Sequence, residues 1–132
     1  MSNVKVGFVG TGGMANAHIS QVATIEDATI VAFCDVMEER AQTAADHYGG
    51  QYYTDAQRML DEADMDAVYF CLPPFAHSDI ERIAAAGGRH IFVEKPVSMT
   101  VDHGLAVLEA VRGTGVISAV GYQGRYQNPE TA

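Results

Sequence analysis

Six short apolar runs, each of strand length, alternate along this chain with longer stretches of helical composition. The runs fall at residues 4–9, 29–34, 51–53, 67–72, 90–93 and 116–120, and the helical stretches at 13–25, 38–47, 55–61, 75–86 and 100–112. Turn chemistry marks the joints. Gly49-Gly50, Gly87-Gly88 and Gly113 with Gly115 close helices, while Asp55 and Thr100 open them. Pro73-Pro74 stops the fourth run, because proline cannot donate to a sheet ladder. Runs that are apolar throughout suit strands covered on both faces, and short connections between alternating strands and helices imply right-handed crossovers. The pattern predicts an α/β fold, doubly wound around one parallel sheet in the order 3-2-1-4-5-6, with residues 1–132 forming a single domain.

The first run breaks into glycine where its strand must turn into a helix, so that G-x-G-x-x-A falls on Gly10, Gly12 and Ala15. Gly10 takes the tight turn, Gly12 has no Cβ to block a phosphate near the backbone, and small Ala15 lets the helix lie close to the strand. The unpaired amides of the helix, from Gly13 and Met14 onward, then face an anion together with the positive end of its dipole. The second run ends at Asp35, the place where a dinucleotide fingerprint expects an acid for the adenosine ribose. Asp35 accepts from ribose hydroxyls and repels a 2′-phosphate, which favours NAD over NADP, although Arg40 nearby leaves some NADP use open. An Asp there also serves as a cap for the helix after Met37. These features together predict a Rossmann-type nucleotide-binding domain.

Charge changes the picture by exclusion. With a net charge of -9 and only two lysines, Lys5 and Lys95, the surface would repel nucleic acid and anionic membrane at long range. Backbone amides still cradle a dinucleotide without lysine. No apolar run reaches membrane-span length and no signal-peptide pattern opens the chain, so the expected location is cytoplasmic. Cys34 and Cys71 fit no zinc or C-x-x-C spacing. They end strands that the first strand would separate by about 10 Å, which argues for free thiols. The five histidines are scattered, suggest no metal set, and read mostly as surface or capping residues. At the far end Asn128-Pro129-Glu130 reads as the cap, first-position proline and first-turn acid of a helix, so a second domain is expected to follow.

The set Gly10-Thr11-Gly12-Gly13-Met14-Ala15, Asp35, Leu72-Pro73-Pro74-Phe75-Ala76-His77, the stretch from Ala86-Gly87-Gly88 to Glu94-Lys95-Pro96, and Gly121-Tyr122-Gln123-Gly124-Arg125 resembles the N-terminal domain of the Gfo/Idh/MocA oxidoreductases. The likeness spans nearly the whole chain, and Glu94-Lys95-Pro96 is its most specific part. It implies NAD(P)-dependent oxidation or reduction at a hydroxyl or keto carbon of a sugar, inositol or related polyol, with a C-terminal domain that completes the site and often mediates homo-oligomerisation. By position, the resemblance puts Lys95 beside the reacting hydroxyl and Glu94 against the nicotinamide ribose. Cys71, Leu72, Pro73 and His77 would border the middle of the cofactor, and Gln123 and Arg125 would lie near its nicotinamide end or the substrate. The further acid and base such enzymes carry on the second domain have no counterpart here, so this chain alone should bind cofactor and turn over little. Two other functions fit the same residues: a module that senses NAD without turnover, and an NAD-dependent glycoside hydrolase related to the family.

Overall fold

The computed structural model describes residues 2–127; the helix start expected at Asn128 lies outside them. The elements run β1 (Val4–Val9), α1 (Gly13–Val22), β2 (Ala28–Cys34), α2 (Glu38–Tyr48), β3 (Gln51–Tyr53), α3 (Ala56–Glu62), β4 (Ala67–Phe70), α4 (Ile80–Ala86), β5 (His90–Val93), α5 (Val101–Thr114) and β6 (Ser118–Val120). All strands are parallel, in the order β3-β2-β1-β4-β5-β6. The predicted topology is the observed one.

Strand parity sorts the core into two layers, because successive side chains point to opposite faces. Val6 and Phe8 of β1 point to the face covered by α1 and α2, where they meet Ala15, Ile19 and Val22. Val9, Val68, Phe70, Ile91 and Val93 point to the other face, packed with Met59, Leu60, Ala84, Ala85 and Val107 of α3, α4 and α5. On the α1 side, Phe8, Tyr69 and Phe92 form a row across β1, β4 and β5, with ring centroids 4.8 Å and 4.6 Å apart. Each such pair adds about 0.5–1.5 kcal/mol beyond burial, so this row braces the centre of the sheet beneath the first helix.

Local departures from the predicted boundaries have local causes. α1 stops at Val22 rather than near Ile25, where bonds from Thr24 to Gln21 and from Ile25 to Val22 tighten its end into turns. The helix expected over 75–86 is split. Pro74–Ala76 form one 3-10 turn and α4 starts only at Ile80, since His77 is extended and Asp79 spends its carboxylate on Arg82 instead of a cap. α5 runs through Gly113 and ends at Gly115, which is left-handed, so only the second of those glycines terminates it. Caps at Asp55 and Thr100 are present as expected, accepting from the amides of Arg58 and His103.

Candidate functional site

The carboxyl ends of β1, β2 and β4 open into a cleft of about 660 Å³, a volume typical of small-molecule sites. Gly10 forms its floor. Its φ is +91°, and a Cβ there would lie 2.3 Å from the carbonyl oxygen of Cys71, so no other residue fits between the ends of β1 and β4. Gly12 differs: a Cβ would meet nothing closer than Nη1 of Arg40 at 4.0 Å, which leaves the space above the loop open.

The loop's amides divide into two groups. Gly10 N–H donates to the carbonyl of Cys34 and Thr11 N–H to Asp35 Oδ2, at 2.8 and 3.0 Å. The first helical amide to find a carbonyl is that of Asn16, bonded to Gly12. The amides of Gly12, Gly13, Met14 and Ala15 therefore have no protein acceptor among the described residues, and they converge at the positive end of α1. That donor set fits an anionic diphosphate.

Asp35 is 9 % exposed and thoroughly held. Oδ2 accepts from Thr11 N–H and Thr11 Oγ1–H, both at 3.0 Å, and Oδ1 accepts from Met37 N–H at 2.9 Å. The cap position of α2 is Met37 and has no side-chain cap; Asp35 braces it from two residues before through the Met37 amide and borders the cleft, with accepting capacity left on Oδ1. Thr11 itself is buried and committed to Asp35, so it is a strut for that acid rather than a free donor to a ligand.

Opposite Asp35 the cleft is bordered by Cys71, Leu72, Pro73, Phe75 and Ala76. Val36 and Phe75, 90 % and 85 % exposed, make apolar lips at its mouth. Burial, with the charge of Asp35 behind it, pushes the Cys34 thiol up to about 11; burial, then Glu94, pushes Cys71 up to about 12. Both cysteines are free, and at neutral pH neither is a nucleophile. Among the described residues no group of three His, Cys, Asp or Glu side chains is arranged to hold a metal.

Other expected residues lie off the cleft wall. His77 turns inward: its side chain is 1 % exposed, with Nδ1 2.6 Å from Glu81 Oε1, so it anchors the chain after the Pro-Pro turn instead of facing a ligand. Gly13 borders a neighbouring groove of about 520 Å³ that meets the cleft at Gly12 and Arg40. Met14 is exposed on α1, and Gln123 sits in an exposed turn after β6. Glu94 and Lys95 follow β5, one strand beyond β4. Glu94 is 8 % exposed and its amide donates to the carbonyl of Phe70, whereas Lys95 is exposed and makes no ion pair among the described residues.

The sequence profile described as the Gfo/Idh/MocA oxidoreductase family, NAD-binding Rossmann fold, matches residues 4–122. The chain belongs to this family. It is 33 % identical over 124 residues to the uncharacterized oxidoreductase YrbE of Bacillus subtilis, covering 93 % of this chain and 36 % of that protein. It is 35 % identical to an inositol 2-dehydrogenase of Rhizobium meliloti, covering 93 % of this chain and 37 % of that one. The crystal structure of scyllo-inositol dehydrogenase from Lactobacillus casei, with bound NAD(H) and scyllo-inositol, superposes with a TM-score of 0.89 at 25 % identity, over 96 % of this chain and 38 % of that chain. This Gfo/Idh/MocA domain thus spans under two-fifths of the length of these relatives.

Three contributors escaped the sequence reading. Val36 and Phe75 follow the acid and the Pro-Pro turn directly, and as large apolar residues in loops they carried a signal. His18 was grouped with the scattered histidines, yet Ala15, His18, Ile19 and Val22 share one helical stripe, and the structure sets His18 Nε2 2.6 Å from Glu94 Oε1.

Proposed function

We propose that residues 1–132 form the nucleotide-binding domain of a cytoplasmic NAD-dependent dehydrogenase that acts at a hydroxyl or keto carbon of a polyol or sugar. The observation that carries this is one continuous edge of the sheet. Asp35 and the lips Val36 and Phe75 stand at one end, the open amides of Gly12 to Ala15 in the middle, and Glu94 and Lys95 one strand past β4. An adenine fits between the apolar lips, its ribose against Oδ1 of Asp35, and the diphosphate over Gly12. The acid's negative charge favours NAD over NADP, and Arg40, which borders both the cleft and the adjoining groove, is the residue through which NADP would be tolerated. When bound, the nicotinamide supplies the hydride acceptor or donor. Lys95, an ammonium with no ion pair among the described residues at a strand's carboxyl end, would hydrogen-bond the substrate oxygen and stabilise negative charge as it develops there. Glu94 would accept from the nicotinamide ribose, with Gln123 nearby.

The relatives named above include inositol dehydrogenases, which supports hydride transfer on a polyol over turnover-free sensing or glycoside hydrolysis. Homo-oligomerisation of an intact enzyme, and the lack of nucleic-acid or membrane partners, belong to the same reading; no helix among the described residues is long and apolar enough to cross a membrane. Calorimetric titration with NAD and NADP tests it. Saturable one-to-one binding of NAD, at least tenfold tighter than NADP, is expected. Absence of NAD binding would remove the domain's proposed role.

A further inference from the structure

His18 lies on the inward stripe of α1, the helix whose first amides stand open beside the cleft, and it reaches across the sheet edge to an acid 76 residues away. We infer that His18 is a positioning residue for the Glu94-Lys95 turn: it ties the seat of the phosphate helix to the acid that faces the far end of the nucleotide. This deepens the nucleotide-binding reading above and rests on it.

The Glu94 carboxylate is fixed on three sides. Oε1 lies 2.6 Å from His18 Nε2, and Oε2 accepts from the amide of Lys95 at 3.2 Å. Beneath it is Gly121, where a Cβ would sit 2.7 Å from Oε1 and 2.9 Å from Oε2, so the acid rests on a bare backbone. His18 is fixed in turn. Its ring stands edge-on to Phe92 at 5.0 Å and tilted to Tyr69 at 5.7 Å, against the aromatic row that braces the sheet. Strand parity explains why this pairing is possible, since Tyr69, Phe92 and Glu94 all point to the α1 side. A carboxylate has about four accepting directions, and two are used here, which leaves capacity for hydroxyl donors such as a vicinal diol.

A histidine that only fastened α1 to the sheet would affect every ligand of the cleft alike. One that positions Glu94 acts on the part of a ligand lying past the diphosphate. The probes are NAD and ADP, which share adenosine and diphosphate but differ in the nicotinamide ribose, titrated calorimetrically into this chain. His18→Phe keeps an aromatic ring and removes the donor. It should weaken NAD by about five- to tenfold, as loss of a charge-assisted bond implies, and change ADP affinity less than twofold. His18→Gln retains a donor and should recover most of the loss. Equal losses for both ligands, or none for NAD, would overturn the positioning role while leaving nucleotide binding in place; a wild-type chain that binds neither would overturn both. Circular dichroism reports whether His18→Phe is folded. If it is not, His18→Asn, whose amide is too short to reach Glu94, Glu94→Gln and the double variant decide: no further loss in the double variant supports the link, and additive losses overturn it.

Discussion

Two carboxylates at the carboxyl edge of this sheet, Asp35 after β2 and Glu94 after β5, are equally hidden, at 9 % and 8 % exposure, and are held in different ways. Asp35 accepts from three neutral donors, two of them backbone amides, and all within the two loops that frame the first crossover. Glu94 has one amide from its own turn and one imidazole from a helix far away in sequence. The first arrangement draws two of its three bonds from backbone donors whose positions the loops fix. The second depends on a side chain from another element, steadied by aromatic neighbours. The Asp35 end of this edge is therefore built mainly from backbone, and the Glu94 end from side chains bridging separate elements.

The largest expected effect comes from disturbing what stands between the two acids. At Gly12→Val the added Cβ meets no protein atom within 4 Å except the tip of Arg40, so both carboxylates should keep their partners and the thermal midpoint should hold. The added side chain fills the space over the open amides, and NAD affinity should fall by at least a hundredfold, about 2.7 kcal/mol. Calorimetry that found near-normal binding would show that the acids do not flank the nucleotide's middle.

The next test ranks the two carboxylates by stability. Asp35→Ala leaves the buried amide and hydroxyl of Thr11 and the part-buried amide of Met37 without their acceptor and should cost about 2–3 kcal/mol in urea unfolding. Asn at position 35 accepts on one side only and should recover part of that. Thr11→Val keeps the amide bond to Asp35 and loses the hydroxyl, for about 1 kcal/mol. Glu94→Gln keeps an acceptor for His18 and should cost less than any of the Asp35 changes. A larger cost at Glu94 would reverse the comparison.

The same contrast explains what was legible in the chain. Strand order, layers and the Gly10 to Ala15 loop follow from apolar runs and glycines whose meaning is local, and Asp35 is legible because it ends an apolar run where a dinucleotide fingerprint expects an acid. The split before α4 was not, because Phe75 to Ala86 is helical by composition, and the break is visible only in the backbone, where Pro74–Ala76 make a 3-10 turn and His77 is extended. Nor was the strut role of Thr11, since a threonine between two glycines is indistinguishable from a ligand donor until its amide is seen bonded to Asp35. The His18 link lay between two readable signals, a helical stripe and a Glu-Lys-Pro turn, but nothing local says that one reaches the other.

The smallest effect uses the two thiols as reporters, since each lies beside one of the carboxylates. Cys34 is raised to about 11 by burial and then Asp35, and Cys71 to about 12 by burial and then Glu94. Because both thiols keep their protons in the folded chain beyond the ordinary value of 9.0, they favour the folded state fully below about pH 9, and that contribution is lost as pH rises toward 11 and 12. Carbon-13 labelling at the cysteine Cβ follows each titration separately by NMR. Asp35→Asn should bring forward the onset for Cys34 and leave Cys71 unmoved; Glu94→Gln should do the converse. Each displacement should stay under about one pH unit, since desolvation is the larger cause and persists in both variants. If either substitution moved both thiols together, the acids would share one electrostatic environment, and the division of the edge into a backbone-built and a side-chain-built end would fail at its weakest point.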